Sequence, residues 1–217
     1  MEIIMNNSIV ARVLIISFLS FFSLLANASS EEVFWKWFQK NEASIFDFEK
    51  NQEKVFDQLT TEMHKVDPNL TFEFGPKAEG KREFIISADG IKSSFPKVES
   101  LFSAAPQNLN KWIFIKYRPR RELFDIQYNG VTVKADSVFI DLEPDGNNIG
   151  ITLFIPGFTE ANSKTFRGIA YLLLDQALGE YDVETRVGYI EVKSVMSKNA
   201  KAVSLKELPK VFDLLHK

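Results

Sequence analysis

Apolar positions change their period several times along this chain, and each change marks an element. Ile45, Phe48, Val55, Phe56, Leu59, Met63 and Val66 recur mostly at spacings of three, four or seven, which predicts a long amphipathic helix over about 44–66. Ser44 followed by Asp47 suits its start, and Pro68 lies past its end. A short helix over about 31–40 precedes it. Residues 70–74 then alternate as a half-buried strand does, with Gly75-Pro76 and Gly80 punctuating a loop. Residues 82–88 read as a second strand closed by the Asp89-Gly90 turn. Val98, Leu101 and Phe102 give a short helix over 96–105 one apolar face.

Residues 112–117 form a strong strand. Asn129-Gly130 between 126–128 and 131–133 is the best hairpin signal in the chain. Residues 137–142 and 149–155 make a second hairpin around a loop over 143–148. Asn162 or Ser163 caps a helix that stops at Gly179. Residues 181–195 alternate enough for a strand kinked near Gly188. Ser204 with Glu207 opens a last helix around Pro209. No internal repeat, low-complexity tract or linker interrupts the series. The predicted class is α+β: one mainly antiparallel sheet of six to seven strands with helices on one face.

The first residues address the chain rather than describe its chemistry. An apolar run over 13–25 follows Arg12 and leads into Ala26-Asn27-Ala28, the pattern of a secretory signal peptide cut after Ala28. As a helix the run rises about 20 Å, short of the roughly 30 Å of a hydrocarbon core. Glu2 offsets Arg12 in this segment, and initiation at Met5 would remove it. The expected organisation is a signal peptide over 1–28 and a single α+β domain over 29–217, located in the periplasm or outside the cell. No stable membrane anchor is expected after cleavage. Removing the first 28 of 217 residues leaves 189, enough for a proper core, to which many of the chain's 20 Phe contribute.

A net charge of -3 argues against nucleic acid as a partner. The absence of cysteine excludes thiol catalysis and zinc–thiolate sites, and leaves the exported fold without disulfides. No cofactor is implied.

At Phe34-Trp-Lys-Trp-Phe38, Thr71-Phe-Glu-Phe-Gly-Pro76, Gly80-Lys-Arg-Glu-Phe-Ile-Ile-Ser-Ala-Asp-Gly-Ile91 and Lys116-Tyr-Arg-Pro-Arg120 the chain resembles a family of uncharacterised bacterial proteins. The resemblance covers most of the mature chain. It implies no activity, cofactor or catalytic residue.

Candidate chemistry is sparse. The two histidines, His64 on a helix flank and His216 next to the last residue, are poorly placed for a triad. Asp141, Glu143 and Asp145 with Gly146 imitate the start of a calcium loop, but Thr152 stands where its bidentate Glu belongs and a hairpin turn explains the same residues. Asp89 and Glu83 are a nominal carboxylate pair. Four aromatics at Phe34, Trp35, Trp37 and Phe38 cannot share one helix face, because Trp35 and Trp37 lie about 200° apart.

The remaining cluster surrounds Pro119. Lys116, Arg118, Arg120 and Arg121 flank Tyr117, and guanidinium forks suit carboxylate or phosphate. Tyr117, Arg118, Arg120 and Arg121 are therefore the candidate binding residues, for an anionic ligand or an acidic protein surface. The alternative is a solvated strand edge with paired charges. Two function classes follow: an exported binding or interaction protein, and an exported carboxylate-dependent hydrolase acting on a glycan or cell-envelope substrate. The sequence leaves the oligomeric state open.

Overall fold

The computed structural model describes residues 28–215. The signal-peptide reading, apart from Ala28, and His216 lie outside them. Among the described residues there are six α-helices and nine strands. None of these helices is long and apolar enough to cross a membrane.

Helix α1 (Ser30–Phe46) begins where the Ser29 hydroxyl accepts the Glu32 N–H at 3.2 Å, with Glu31 and Glu32 in the first turn. It buries Phe34, Trp35 and Phe38, and the Trp35 indole donates to the Leu101 carbonyl at 2.8 Å. The aromatic block therefore docks into its own fold. The predicted boundary between the first two helices moves. α1 runs on to Phe46, a 3₁₀ turn spans Phe48–Lys50, and α2 covers Gln52–His64. The cause is Arg82, whose guanidinium lies 4.4 Å from the Phe48 ring centroid and 5.7 Å from that of Phe46. An unbroken helix would point residues 46 and 48 in nearly opposite directions.

Strands β1 (Thr71–Ala78) and β2 (Lys81–Ser87) pair antiparallel. Helix α3 (Phe95–Ser103) then crosses over, and β3 (Trp112–Lys116) pairs parallel to β2. A hairpin follows, β4 (Ile126–Tyr128) and β5 (Val131–Val133). Its turn residues Asn129 and Gly130 have φ of 49° and 77°, as a two-residue turn with both central φ positive requires.

The second half repeats the first connection. β6 (Phe139–Asp145) and β7 (Asn148–Ile155) pair antiparallel. Helices α4 (Ser163–Leu178) and α5 (Glu180–Arg186) cross over, and β8 (Val187–Ser194) pairs parallel to β7. β9 (Val203–Ser204) completes this sheet beside β6, and α6 (Leu208–Leu215) ends the described chain.

The α+β class holds, but the expected single sheet does not. The strands form three sheets, in orders β1-β2-β3, β4-β5 and β8-β7-β6-β9. Each helical crossover returns its last strand parallel, which a meander of hairpins cannot do. Each large sheet also has its own apolar core. One contains Phe34, Phe38, Leu59, Met63, Phe84 and Leu101. The other contains Ile140, Ile151, Leu153, Ile169, Leu173 and Phe212.

Two further local expectations change. The strand expected over 181–195 is helical as far as Arg186, because Gly179 turns the chain (φ 78°) and Glu180 and Val183 both point inward at helical spacing. The loop expected over 143–148 shrinks to Gly146 and Asn147, since Glu143, Pro144 and Asp145 pair with Gly150, Ile149 and Asn148.

One residue stitches the halves together. Glu180 is fully buried, and its carboxylate accepts the N–H groups of Ala88 and Gly90, each at 3.1 Å, and of Arg118 at 3.0 Å. Its own N–H donates to the Arg118 carbonyl at 2.9 Å. Replacing Glu180 with Ala strands three backbone donors. The expected loss of stability is about 3–5 kcal/mol, read from urea unfolding. A loss below about 1 kcal/mol would show that the seam does not depend on this carboxylate.

Candidate functional site

The chain between the two cores, residues 118–125, is laid along the C-terminal half of α4. The Arg121 N–H donates to the Gln176 carbonyl at 2.7 Å, and the Phe124 N–H to the Gln176 side-chain oxygen at 2.9 Å. Gly179 permits the close approach, because a Cβ there would stand 2.9 Å from the Arg118 carbonyl oxygen. Backbone hydrogen bonds therefore hold this segment where its sequence alone reads as a loop.

Beside it lies an open cleft of about 930 Å³. One wall is the outer face of the first sheet, with Glu73, Gly75 and Ile85. Ile85 is only 1% exposed yet belongs to neither apolar core, because it faces the opposite way from Phe84 and Ile86. Gly75 leaves room for the Glu83 side chain, whose carboxylate would lie 2.7 Å from a Cβ at this position. The other wall is Phe124 and Leu172, which stay 61% and 41% exposed although both are large and apolar. Arg118, Asp175 and Gln176 also line the space. A smaller hollow of about 370 Å³ beside Trp112 and Phe114 is well under half that size.

Arg118, Arg120 and Arg121 line the cleft, and each is committed to carboxylates. Arg118 reaches Asp89 at 2.8 Å, Asp175 at 3.2 Å and Glu73 at 3.6 Å. Arg120 forks onto Asp213 with two bonds of 2.9 Å, meets Asp182 at 2.6 Å, and donates its Nε–H to the Leu178 carbonyl at 3.0 Å. Arg121 meets Glu83 at 2.7 Å, and Lys116 meets Glu99 at 2.8 Å. The basic run is thus charge-compensated, with partners drawn from both halves.

Tyr117 does not line the cleft. Its ring is wedged between Phe95 of α3 at 4.6 Å and Tyr181 of α5 at 5.2 Å, and its hydroxyl donates to Glu99 at 3.0 Å. Burial and this bond push the phenol pKa up.

The other candidates are spent on structure. Asp89 and Glu83 are claimed by different arginines. Asp141 and Glu143 accept bonds from the Asn199 amide and the Tyr189 hydroxyl. Among the described residues no cluster of His, Asp or Glu is arranged to hold a metal. His64 is exposed at the end of α2.

The group that sequence reasoning missed is Asp175. Burial raises its pKa from 3.8 to about 6; Arg118 opposes the shift, while Glu180, Glu184 and Asp89 add to it. Its only sequence signal is an acidic residue beside buried Leu174 and Gln176 near the end of an apolar helix. Family models, curated proteins and solved structures contain no match to the chain.

Two predictions follow from these bonds. Arg120→Gln loses a fork and a backbone bond and should cost about 1–2 kcal/mol in urea unfolding. Arg121→Gln, whose ion pair is largely exposed, should cost under about 1 kcal/mol. Asp175 governs the pH dependence. Its folded pKa exceeds its unfolded value, so its contribution is complete below pH 3.8 and is lost as pH rises through about 6. Burial pushes Glu184 the same way. Glu31, held down to about 2 by a backbone hydrogen bond and by Ser100 and Ser30, acts oppositely below pH 4.5. Stability should therefore rise by about 1 kcal/mol from pH 7 to pH 5, and Asp175→Asn should flatten that rise. An unchanged slope in the variant would remove Asp175 from the account.

Proposed function

We propose that this protein is a binding protein that receives an amphipathic ligand in the cleft between its two halves. The observation that carries the reading is the pairing of a 930 Å³ cleft with two large apolar side chains, Phe124 and Leu172, left exposed on its wall. Concave sites of about this size, apolar with a few convergent polar groups, are where small ligands bind. The backbone of the Phe124 segment is fixed on α4, so the ring is presented in place rather than by chance of a loose loop. With a signal peptide cut after Ala28, the protein works in the periplasm or outside the cell.

The cations keep a role at the rim. Arg121 is 41% exposed, and an anionic ligand or acidic partner surface could take its guanidinium in exchange for Glu83. A hydrolase working on a glycan or envelope substrate is the second reading. It is favoured by Asp175, since a carboxyl poised near 6 in a cleft suits a general acid. Turnover of a glycan panel that rises on acidification through about pH 6 and disappears in Asp175→Asn would select it.

Prodan, a neutral solvatochromic naphthalene, tests the binding reading. It should bind with a blue-shifted emission. Leu172→Glu and Phe124→Ser should each weaken it by roughly tenfold while changing stability by about 0.5 kcal/mol or less. Equal Prodan affinity in both variants and the parent would overturn the cleft as the binding site.

A further inference from the structure

The charges around the cleft decide what kind of ligand suits it. Four carboxylates line the space, from Glu73, Glu122, Asp125 and Asp175, and all three lining guanidiniums are already held by carboxylates. Asp175 is the most constrained of them. Its side chain is 21% exposed, it lines the cleft, and among the described residues its one cationic partner is Arg118 at 3.2 Å. That guanidinium is shared with Asp89 of the turn after β2 and with Glu73 of β1. From α5, Glu180 and Glu184 also act on Asp175, and Lys92 and Arg118 act on Glu184. Arg118 therefore serves a surplus of negative groups in a cleft that also presents Phe124 and Leu172. A partly desolvated carboxylate in that position gains more from a second cation than an exposed one does.

We infer that the cleft selects ligands carrying an ammonium or guanidinium group on an apolar body, with the cation on the Asp175 carboxylate and the body against Phe124 and Leu172. This rests on the cleft being the binding site and adds the sign of the ligand's charge. An anion would face Glu73, Glu122 and Asp175, and would share any lining guanidinium it reached with a carboxylate already bonded to it. A cation adds a bond and displaces nothing. Because the ammonium requires ionised Asp175, binding and proton uptake compete. Affinity falls as pH drops through about 6, and binding below that pH releases a proton.

Isothermal titration of the purified protein with phenylbutylamine and with phenylbutyrate, between about pH 5 and pH 8, tests the inference. The two probes share a body and differ in charge. The amine should bind at least tenfold tighter than the carboxylate at about pH 7.5 and weaken several-fold by about pH 5, with a buffer-dependent enthalpy that reports proton release. Asp175→Asn should abolish both the preference and its pH dependence while Prodan still binds. Equal or tighter binding of phenylbutyrate overturns the inference, as does a variant that keeps the amine preference. Prodan binding without amine binding removes this inference and leaves the cleft reading standing. Failure of both probes removes both.

Discussion

The arrangement of this molecule depends on one buried carboxylate. Glu180 sits where the two apolar cores meet, and three backbone N–H groups converge on it from Ala88, Gly90 and Arg118. Burial of a charge is tolerated only when its lone pairs are engaged, and here they accept these three N–H groups. Because those donors belong to the β2–α3 turn and to the segment leaving β3, the same interaction sets the position of α4 against the first sheet. The cleft is the space left over. Gly179, one residue earlier, lets the backbones approach closely enough for the bonds to form.

Both halves use the same connection, two antiparallel strands followed by a helical crossover to a parallel third strand. They are stabilised differently. The first is aromatic, with Phe34, Trp35, Phe38, Phe74, Phe84, Trp112 and Phe114 in mutual edge and tilted contact. The second is aliphatic, built on Ile, Leu and Val with few rings. Aromatic packing fixes ring geometry and buries a large area per residue. It also lets the first core hold Arg82, whose guanidinium lies under Phe48 and reaches Glu49. The join between the halves is more polar, made of ion pairs and backbone bonds beside the contact of Tyr181 with Phe95 and Tyr117. That is why a cleft persists there instead of closing into a third core.

The basic run Arg118-Pro119-Arg120-Arg121 belongs to that join. Each guanidinium reaches an acid from a different element: Asp175 on α4, Asp182 on α5, Asp213 on α6 and Glu83 on β2. Surface pairs of this kind contribute little singly, but the Arg120 fork also satisfies the Leu178 carbonyl at the end of α4. The consequence for recognition is a cleft whose positive groups are occupied and whose negative groups are in surplus. Asp175 feels that surplus most, because it is the cleft carboxylate most removed from water.

Much of the local structure was legible in the sequence, because local forces decide it. The Asn129-Gly130 hairpin needed only two positive φ values. α3, α4 and β3 followed from apolar period and from their Pro and Gly boundaries. The cations at 118, 120 and 121 stood out as a cluster and do line the cleft. What the tertiary structure alone decided depends on contacts distant in the chain. The break at Asp47 follows from Arg82, and the helix at 180–186 from the inward pull on Glu180. The division into three sheets follows from strands returned parallel by their crossovers. Phe124 and Leu172 carry no mark distinguishing an exposed apolar residue from a buried one. Asp175 becomes unusual only because folding removes most of its water and sets Glu180, Glu184 and Asp89 around it. Sequence period reports which face of an element is apolar; which residues share a desolvated space is settled only when the elements pack.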